Sequence, residues 1–285
     1  MRCIFCKENS SNSKAVEHII PESLGNKEHT LITGIVCDKC NQYFSSKIEK
    51  PVLETPYFIS VRHRNFIESK KNKIPLERVF IGSDPNVFID VNSGERSIIV
   101  EDSQTVNKIL NGQIGQMIVP RIEAPTLNDR DISRFLGKIA IEVLAHKFYP
   151  NEELLNEMVD KEELDELRHY VRIGDKPKFW EYHQRRLYHE QDRFYNPKIA
   201  AEPYEVLHEF TLLYTDEMEL YLVIAIMGIE YALNFTDTKI EGYISWLNGN
   251  NNNLSPLYDR NERLIINPSE SYWKQGDKIN FIKKI

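Results

Sequence analysis

The chain has 285 residues, of which 41% are hydrophobic and 28% charged, a composition that is typical of a globular protein and excludes extensive disorder. Its formal net charge of −7 argues against nonspecific binding of nucleic acid by the surface as a whole. No apolar run approaches the roughly 20 residues of a membrane-spanning helix. The N-terminus also lacks the apolar segment of a secretory signal, so we expect a cytoplasmic protein.

The N-terminal part of the chain is predicted to form a small unit with the order strand, strand, helix. Residues 15–20 (AVEHII) favour a short strand, and residues 32–36 (ITGIV) favour a second one. Residues 38–50 favour a helix that Asp38 caps and that Pro51 ends.

A polar, basic segment, residues 56–76, follows this unit. Two interpretations stay open for it: a solvated connector, or an arm that contacts phosphate. In the second case the contacts would come from Arg62, Arg64, Lys70 and Lys71, because lysine and arginine neutralise backbone phosphates.

Residues 77–285 are predicted to form a larger α+β region, either separate from the first unit or packed around it. The alternation of apolar residues around the turn at residues 92–95 favours a β-hairpin. Helices are expected over residues 129–148, 151–168 and 178–189. Strands are expected over residues 205–214 and 218–235, and a loop over residues 249–253.

Charge is unevenly distributed along the chain. Residues 1–75 carry 12 lysines and arginines against 8 aspartates and glutamates, whereas the remainder carries 24 against 35. The N-terminal quarter can therefore approach phosphate with little repulsion, and it is the part of the chain that we expect to meet nucleic acid.

All four cysteines lie in two C-x-x-C pairs within the first 40 residues: Cys3, Cys6, Cys37 and Cys40. A disulfide framework is not expected in a cytoplasmic protein. Two such pairs in a small unit are typical of a four-thiolate zinc site, and a segment with so little core needs this kind of crosslink. We predict a structural zinc that has no position left for water.

Three polar residues would be brought together by this zinc. Glu17 and His18 lie on the first predicted strand, and Asn41 follows the last cysteine on the helix. A carboxylate and an amide oxygen are ligands suited to Mg²⁺ or Mn²⁺. A neutral imidazole beside them can take a proton from water. The set therefore indicates metal-assisted hydrolysis of a phosphodiester.

The segment from Cys3 to about residue 55 resembles the zinc-bearing branch of the HNH endonuclease superfamily. The resemblance is carried by the two C-x-x-C pairs, by EHIIP-x-S-L-G starting at Glu17, and by C-D-x-C-N ending at Asn41. It implies a ββα-metal fold, one catalytic divalent ion and DNA cleavage that leaves 5′-phosphate ends. It also implies that His18 is the general base and that Glu17 and Asn41 bind the ion.

One feature of the family is missing from this sequence. Members usually have an asparagine shortly before the second cysteine pair that orients the base, and residues 29–34 (HTLITG) contain none. A hydroxyl of Thr30 or Thr33, or a backbone contact, is the expected substitute. Asn26 lies nearby and is assigned no role.

Two functions follow for the N-terminal unit: a DNA endonuclease, or a zinc-stabilised module that binds nucleic acid without cutting it. The acidic C-terminal region is expected to serve regulation, dimerisation or docking of a protein partner. Related standalone proteins often belong to restriction or phage-defence systems. Because of this association, we expect a role in defence.

Overall fold

The computed structural model describes residues 1–82, 84–249, 253–257 and 264–266, so most of the predicted loop 249–253 lies outside the described residues. Contacts group the chain into two compact units. One contains Met1–Leu53 together with Thr126–Ile266, and the other contains Glu54–Pro125. The predicted domain boundaries at residues 55 and 76 stay a prediction.

The N-terminal segment has the predicted order of two strands and a helix. Strands β1 (Glu17–His18) and β2 (Thr30–Leu31) pair antiparallel, with His18 opposite Thr30. The second strand was predicted at residues 32–36 and lies earlier. Those residues form a turn, because Gly34 has a φ of +95°, which ends an extended strand.

The helix of this segment begins at α1 (Asp38–Phe44), and its cap differs from the prediction. Cys37, not Asp38, is the N-cap, and its sulfur accepts the N–H of Cys40 at 3.4 Å. The carboxylate of Asp38 instead accepts the N–H groups of Lys14 (3.0 Å) and Ala15 (2.9 Å). Asp38 thereby ties the residues that lead into β1 to the start of the helix.

Pro51 lies inside the helix that it was predicted to end. A π-helical turn (Ser45–Glu49) joins α1 to α2 (Lys50–Leu53), and the N–H of Lys50 bonds to the carbonyl of Ser45. In a regular α-helix a proline ring clashes with the carbonyl four residues earlier. The wider π turn directly before Pro51 accommodates that ring.

The long helix predicted over residues 129–148 is confirmed as α5 (Arg130–Phe148). Asp129 caps it by accepting the N–H groups of Asp131 and Ile132. Every residue from Ile132 to Ala145 is buried, because α5 packs against β2, α2 and further elements of the same unit. The helix therefore lies at the centre of that unit.

The acidic helix predicted over residues 151–168 is two helices. These are α6 (Glu152–Asp160) and α7 (Asp165–Arg172), joined by a short 3-10 turn. Lys161 has the extended ψ of 110°, which interrupts the helix at that point.

The remaining core of this unit is an antiparallel four-stranded sheet in the order β7–β11–β10–β9. Its strands are β7 (Tyr182–Arg186), β9 (His208–Tyr214), β10 (Leu220–Ile226) and β11 (Ile229–Asn234). The unit also contains the strand pair β8 (Arg193–Tyr195) and β12 (Leu264–Ile266), and the helix α8 (Glu241–Gly249).

Two predictions for this sheet are corrected. The prediction of a helix over residues 178–189 is wrong. This stretch contains the strand β7, which pairs with β11, a strand that is distant in the sequence. The single strand expected over residues 218–235 is a hairpin. Met227 and Gly228 both have positive φ, at 50° and 77°, which fits the tight turn between β10 and β11.

The second unit is a sheet in the order β5–β4–β3–β6 with two helices. Its elements are α3 (Pro56–Arg64), β3 (Glu77–Ile81), β4 (Asp84–Asp90), β5 (Ser97–Val100), α4 (Ser103–Leu110) and β6 (Met117–Ile118). Pairing of β4 with β5 confirms the predicted hairpin. The segment predicted as a connector begins with a helix.

Candidate functional site

The four cysteines form one compact cluster. Their sulfur atoms all lie within 4.8 Å of one another, and the sulfurs of Cys6 and Cys37 are 3.7 Å apart. A tetrahedral zinc with Zn–S bonds of about 2.3 Å has S–S edges of about 3.8 Å. The cluster therefore fits zinc, and the zinc would join the N-terminal loop to the start of α1.

The thiols of this cluster strongly influence one another. A hydrogen bond with Cys40 lowers the pKa of Cys3 to about 5. Burial raises the pKa of Cys6 to about 11, with the charge of Cys3 adding to the effect. The hydrogen bond with Cys3 and burial both raise the pKa of Cys40. Four thiolates can share this space only around a cation, which agrees with a zinc site.

Glu17 and His18 are neighbours on β1 with different surroundings. Glu17 is 5% exposed, and its Oε1 lies 2.7 Å from Nζ of Lys138 on α5. His18 is partly exposed, and its backbone carbonyl accepts a hydrogen bond from the same Nζ at 3.1 Å. One ammonium thus contacts both residues of the predicted catalytic pair.

Lys138 is completely buried among three carboxylates. Besides Glu17, its Nζ lies 2.8 Å from Oε1 of Glu49 and 2.9 Å from Oε2 of Glu142. Burial alone would lower the pKa of Lys138, but attraction to Glu142, Glu17 and Glu49 outweighs it and raises that pKa well above the usual value. The surrounding carboxylates therefore favour the charged form of Lys138.

Glu142 differs from the other two carboxylates of this group. It is completely buried, and burial raises its pKa well above the usual value, with the attraction of Lys138 acting in the opposite direction. Glu49, by contrast, is 15% exposed. Burial therefore favours the neutral form of Glu142.

Asn41 lies beside β1, as the predicted site requires. Its Nδ2 donates to the carbonyl of Val16 at 3.3 Å, which leaves Oδ1 as the atom of the side chain suited to a cation. Among the described residues, the cysteine cluster is the one group of three or more His, Cys, Asp or Glu side chains placed to hold a metal. An ion at Glu17 and Asn41 would therefore complete its ligands with water and substrate oxygens.

Asn26 organises the loop between β1 and β2. The side chain is completely buried, and its Nδ2 donates to the carbonyls of Ile20 (2.7 Å) and His29 (2.9 Å). Its Oδ1 accepts the N–H groups of Glu28 (3.1 Å) and His29 (2.9 Å). Asn26 thus crosslinks the residues that follow β1 to those that precede β2.

The two threonines expected to orient His18 have different positions. Thr30 lies directly opposite His18 in the strand pair, whereas Thr33 is exposed in the turn after β2. The position of Thr30 favours it over Thr33. Orientation of the imidazole by a hydroxyl stays a prediction.

The residues predicted to contact phosphate in the second unit differ in accessibility. Lys70 and Lys71 are exposed, while Arg62 is 7% exposed and Arg64 bonds to the hydroxyl of Ser60. The two lysines are consequently the better candidates for phosphate contacts. Contact with nucleic acid by any of the four stays a prediction.

Sequence patterns missed four residues of this site: Asn26, Glu49, Lys138 and Glu142. Lys138 and Glu142 are four residues apart in a helix that is otherwise largely apolar, so this charged pair was the available signal. It did not identify β1 as the partner, because that contact spans 120 residues.

Within the residues that the structure describes, no helix combines the length and the apolar character that are needed to cross a membrane.

Comparison with known families identifies the N-terminal segment. Residues 3–55 match the family model described as HNH endonuclease, so the resemblance inferred from the sequence motifs is confirmed for this segment. The match covers less than half of the chain, and the remaining residues are not assigned by it. No curated protein and no solved structure matches the chain.

Proposed function

We propose, starting from the HNH endonuclease character of residues 3–55, that this protein is a metal-dependent endonuclease that hydrolyses DNA phosphodiester bonds. His18 is the general base of the proposed reaction. Glu17 and Asn41 hold the catalytic divalent ion, while Cys3, Cys6, Cys37 and Cys40 hold a separate structural zinc.

The partial exposure of His18 on β1 supports a role in proton transfer. Its neutral imidazole takes a proton from a water molecule as the water oxygen attacks phosphorus. The bond between phosphorus and the 3′ oxygen breaks, and that oxygen gains a proton from solvent. The products are a 5′-phosphate and a 3′-hydroxyl.

The ligand residues follow from the chemistry of their oxygens. The Glu17 carboxylate and the Asn41 amide oxygen suit Mg²⁺ or Mn²⁺ better than they suit zinc. When bound there, the ion stabilises negative charge on the phosphate and on the leaving 3′ oxygen.

The observation that carries this proposal is the placement of Asn41 against β1. Its hydrogen bond to Val16 brings the first turn of α1 beside the strand that contains Glu17 and His18. All three residues lie within the matched residues 3–55, and the cysteine cluster lies at the start of the same helix.

The test is the substitution His18→Ala in the full chain. Removing a general base typically costs 10²–10⁴-fold in rate, so we expect at least a roughly 100-fold loss of Mg²⁺- or Mn²⁺-dependent DNA cleavage. Zinc content should stay near one per chain, because the cysteines are unchanged. Protection of phage-challenged cells by the wild type but not by this variant would support a defence role.

The matched control is His63→Ala, because His63 is a histidine outside the matched segment, bonded to the carbonyl of Pro75 at 2.8 Å. This variant should cleave DNA at the wild-type rate. A wild-type protein with full zinc that cleaves no DNA form with either ion would refute the proposal.

A non-catalytic nucleic-acid-binding module is the second candidate function. The observation that favours it is the contact of Glu17 with Lys138, which gives this carboxylate a structural role as well. In that case a gel-shift with DNA would survive His18→Ala, and the wild type would show no cleavage. A dimer or a protein partner through the C-terminal region stays a prediction that light scattering of the full chain tests.

A further inference from the structure

We infer that Lys138 is a positioning residue of the proposed nuclease site, an inference that rests on the proposed function. Its ammonium holds the carboxylate of Glu17 and the backbone carbonyl of His18 at the same time. Lys138 lies on α5, far beyond the segment that matches the endonuclease family.

The geometry around Nζ of Lys138 gives each of its three N–H groups an acceptor. Glu17 and Glu49 lie at 2.7 Å and 2.8 Å, the distances of charge-assisted hydrogen bonds. Glu142 lies at 2.9 Å and the carbonyl of His18 at 3.1 Å. Because the ammonium is completely buried, water cannot replace it in any of these contacts.

A purely structural reason for this cation is weak on energetic grounds. Desolvating an ammonium and several carboxylates costs free energy, and well-packed apolar residues of similar volume often stabilise a protein as well or better. What an apolar side chain cannot do is fix the direction of a carboxylate and of a backbone carbonyl. Both of these acceptors belong to the Glu17–His18 pair.

Helix α5 is itself anchored to the N-terminal segment independently of Lys138. Arg134, one turn earlier on α5, donates from Nη2 to the hydroxyl of Tyr43 on α1 at 2.8 Å. The same guanidinium donates to the carbonyls of Tyr170 and Val171. Arg134 is thus a buried cation on the same helix whose hydrogen bonds go to Tyr43, Tyr170 and Val171, which makes it a matched control.

Loss of Lys138 is expected to displace the site without removing any of its groups. Glu17 and Glu49 would lose the cation that holds them together, and their repulsion would move Glu17 and β1. A displacement of about 1 Å can cost about 10²-fold in rate, so we expect kcat to fall by about 10- to 100-fold. The KM for DNA should change little, because the surface that meets DNA is unchanged.

The experiment compares Lys138→Met, Lys138→Arg and Arg134→Met in the full, zinc-loaded chain. Cleavage of a DNA duplex with Mn²⁺ gives kcat and KM. A second readout, taken without Mn²⁺, is the Cε1–H resonance of His18 in ¹³C-histidine-labelled protein, assigned by its disappearance in His18→Ala. Lys138→Met should lower kcat and shift or broaden this resonance.

The other two variants are controls for the loss of Lys138. Lys138→Arg keeps the charge and the donors, so it should restore part of kcat and of the resonance. Arg134→Met should lower the melting temperature while kcat and the resonance stay near wild type. If Lys138→Met does not fold, the double variant Lys138→Met/Glu142→Gln is used instead. It also removes the buried carboxylate of Glu142, which the single variant leaves without its cation.

The possible results separate this inference from the nuclease proposal. A folded Lys138→Met or Lys138→Met/Glu142→Gln protein that keeps the wild-type kcat overturns the inference, whether or not the resonance changes. Failure of both variants to fold assigns Lys138 to folding and also overturns it. If the wild type cleaves no DNA, the proposed function fails, and the His18 resonance alone decides whether Lys138 positions this residue.

Discussion

The N-terminal segment Met1–Leu53 and the sheet β7–β11–β10–β9 are held together by different physical means. The strands of the N-terminal segment are two residues long, and its crosslinks are the cysteine cluster, Asn26 and the contact to Lys138. The sheet has strands of five to seven residues, and all residues of β11 and most of β10 are buried.

This difference shows how a short segment can support chemistry. A sheet that is stabilised by apolar burial tolerates small displacements, whereas a site with a general base and metal ligands depends on fixed directions. In the N-terminal segment directional contacts provide these, namely hydrogen bonds, an ion pair and, when zinc is bound, metal–sulfur bonds.

The largest expected effect comes from removing the zinc. Cys37→Ser removes a sulfur of the cluster but keeps a side-chain acceptor for the cap of α1, and structural zinc supplies about 10–16 kcal/mol in small zinc domains. We expect loss of zinc, of DNA cleavage and of hydrogen-exchange protection in residues 1–53. Protection of the amides of β10 should persist, since that sheet has its own core.

If Cys37→Ser protein that contains no zinc still cleaves DNA, the N-terminal segment does not depend on zinc, and its contrast with the sheet is refuted. The control is Asp160→Asn, which weakens the exposed ion pair between Asp160 and Arg2. Exposed pairs contribute at most about 1 kcal/mol, so zinc content and activity should stay at wild-type values.

An intermediate effect is expected from a cavity in the sheet. Ile224 at the centre of β10 is completely buried, and Ile224→Ala should lower the free energy of unfolding by about 2–5 kcal/mol, as measured by urea denaturation. Zinc content and kcat below the melting transition should not change. Loss of zinc from the folded variant would show that the sheet and the N-terminal segment are not stabilised separately.

A smaller effect is expected from Asn26→Ala. The substitution leaves buried backbone groups of the β1–β2 loop without their partner, which should cost about 1–3 kcal/mol of unfolding free energy. Asn26→Asp is the matched variant, because it keeps the acceptor for Glu28 and His29 but loses the donors to Ile20 and His29. If Asn26→Ala is as stable as the wild type, Asn26 is not one of the contacts that stabilise the N-terminal segment.

The features predicted correctly depend on local patterns. The cysteine spacing predicted the cluster, and the order of strand, strand and helix followed from residues 15–50. The helix over residues 129–148 was predicted because its apolar residues repeat at helical spacing and Asp129 supplies a cap. Wrong predictions arose where a distant partner decides the conformation, as for β7, which is a strand because it pairs with β11.

The sequence by itself indicated Glu17, His18 and Asn41 as candidate site residues, because the motifs that contain them are short enough to be read locally. Only the tertiary structure decided what holds those groups. The ammonium of Lys138 reaches β1 across 120 residues because α5 passes through the centre of the unit. A buried ion pair of this kind depends on the path of the chain in space, which no spacing of residues along the sequence specifies.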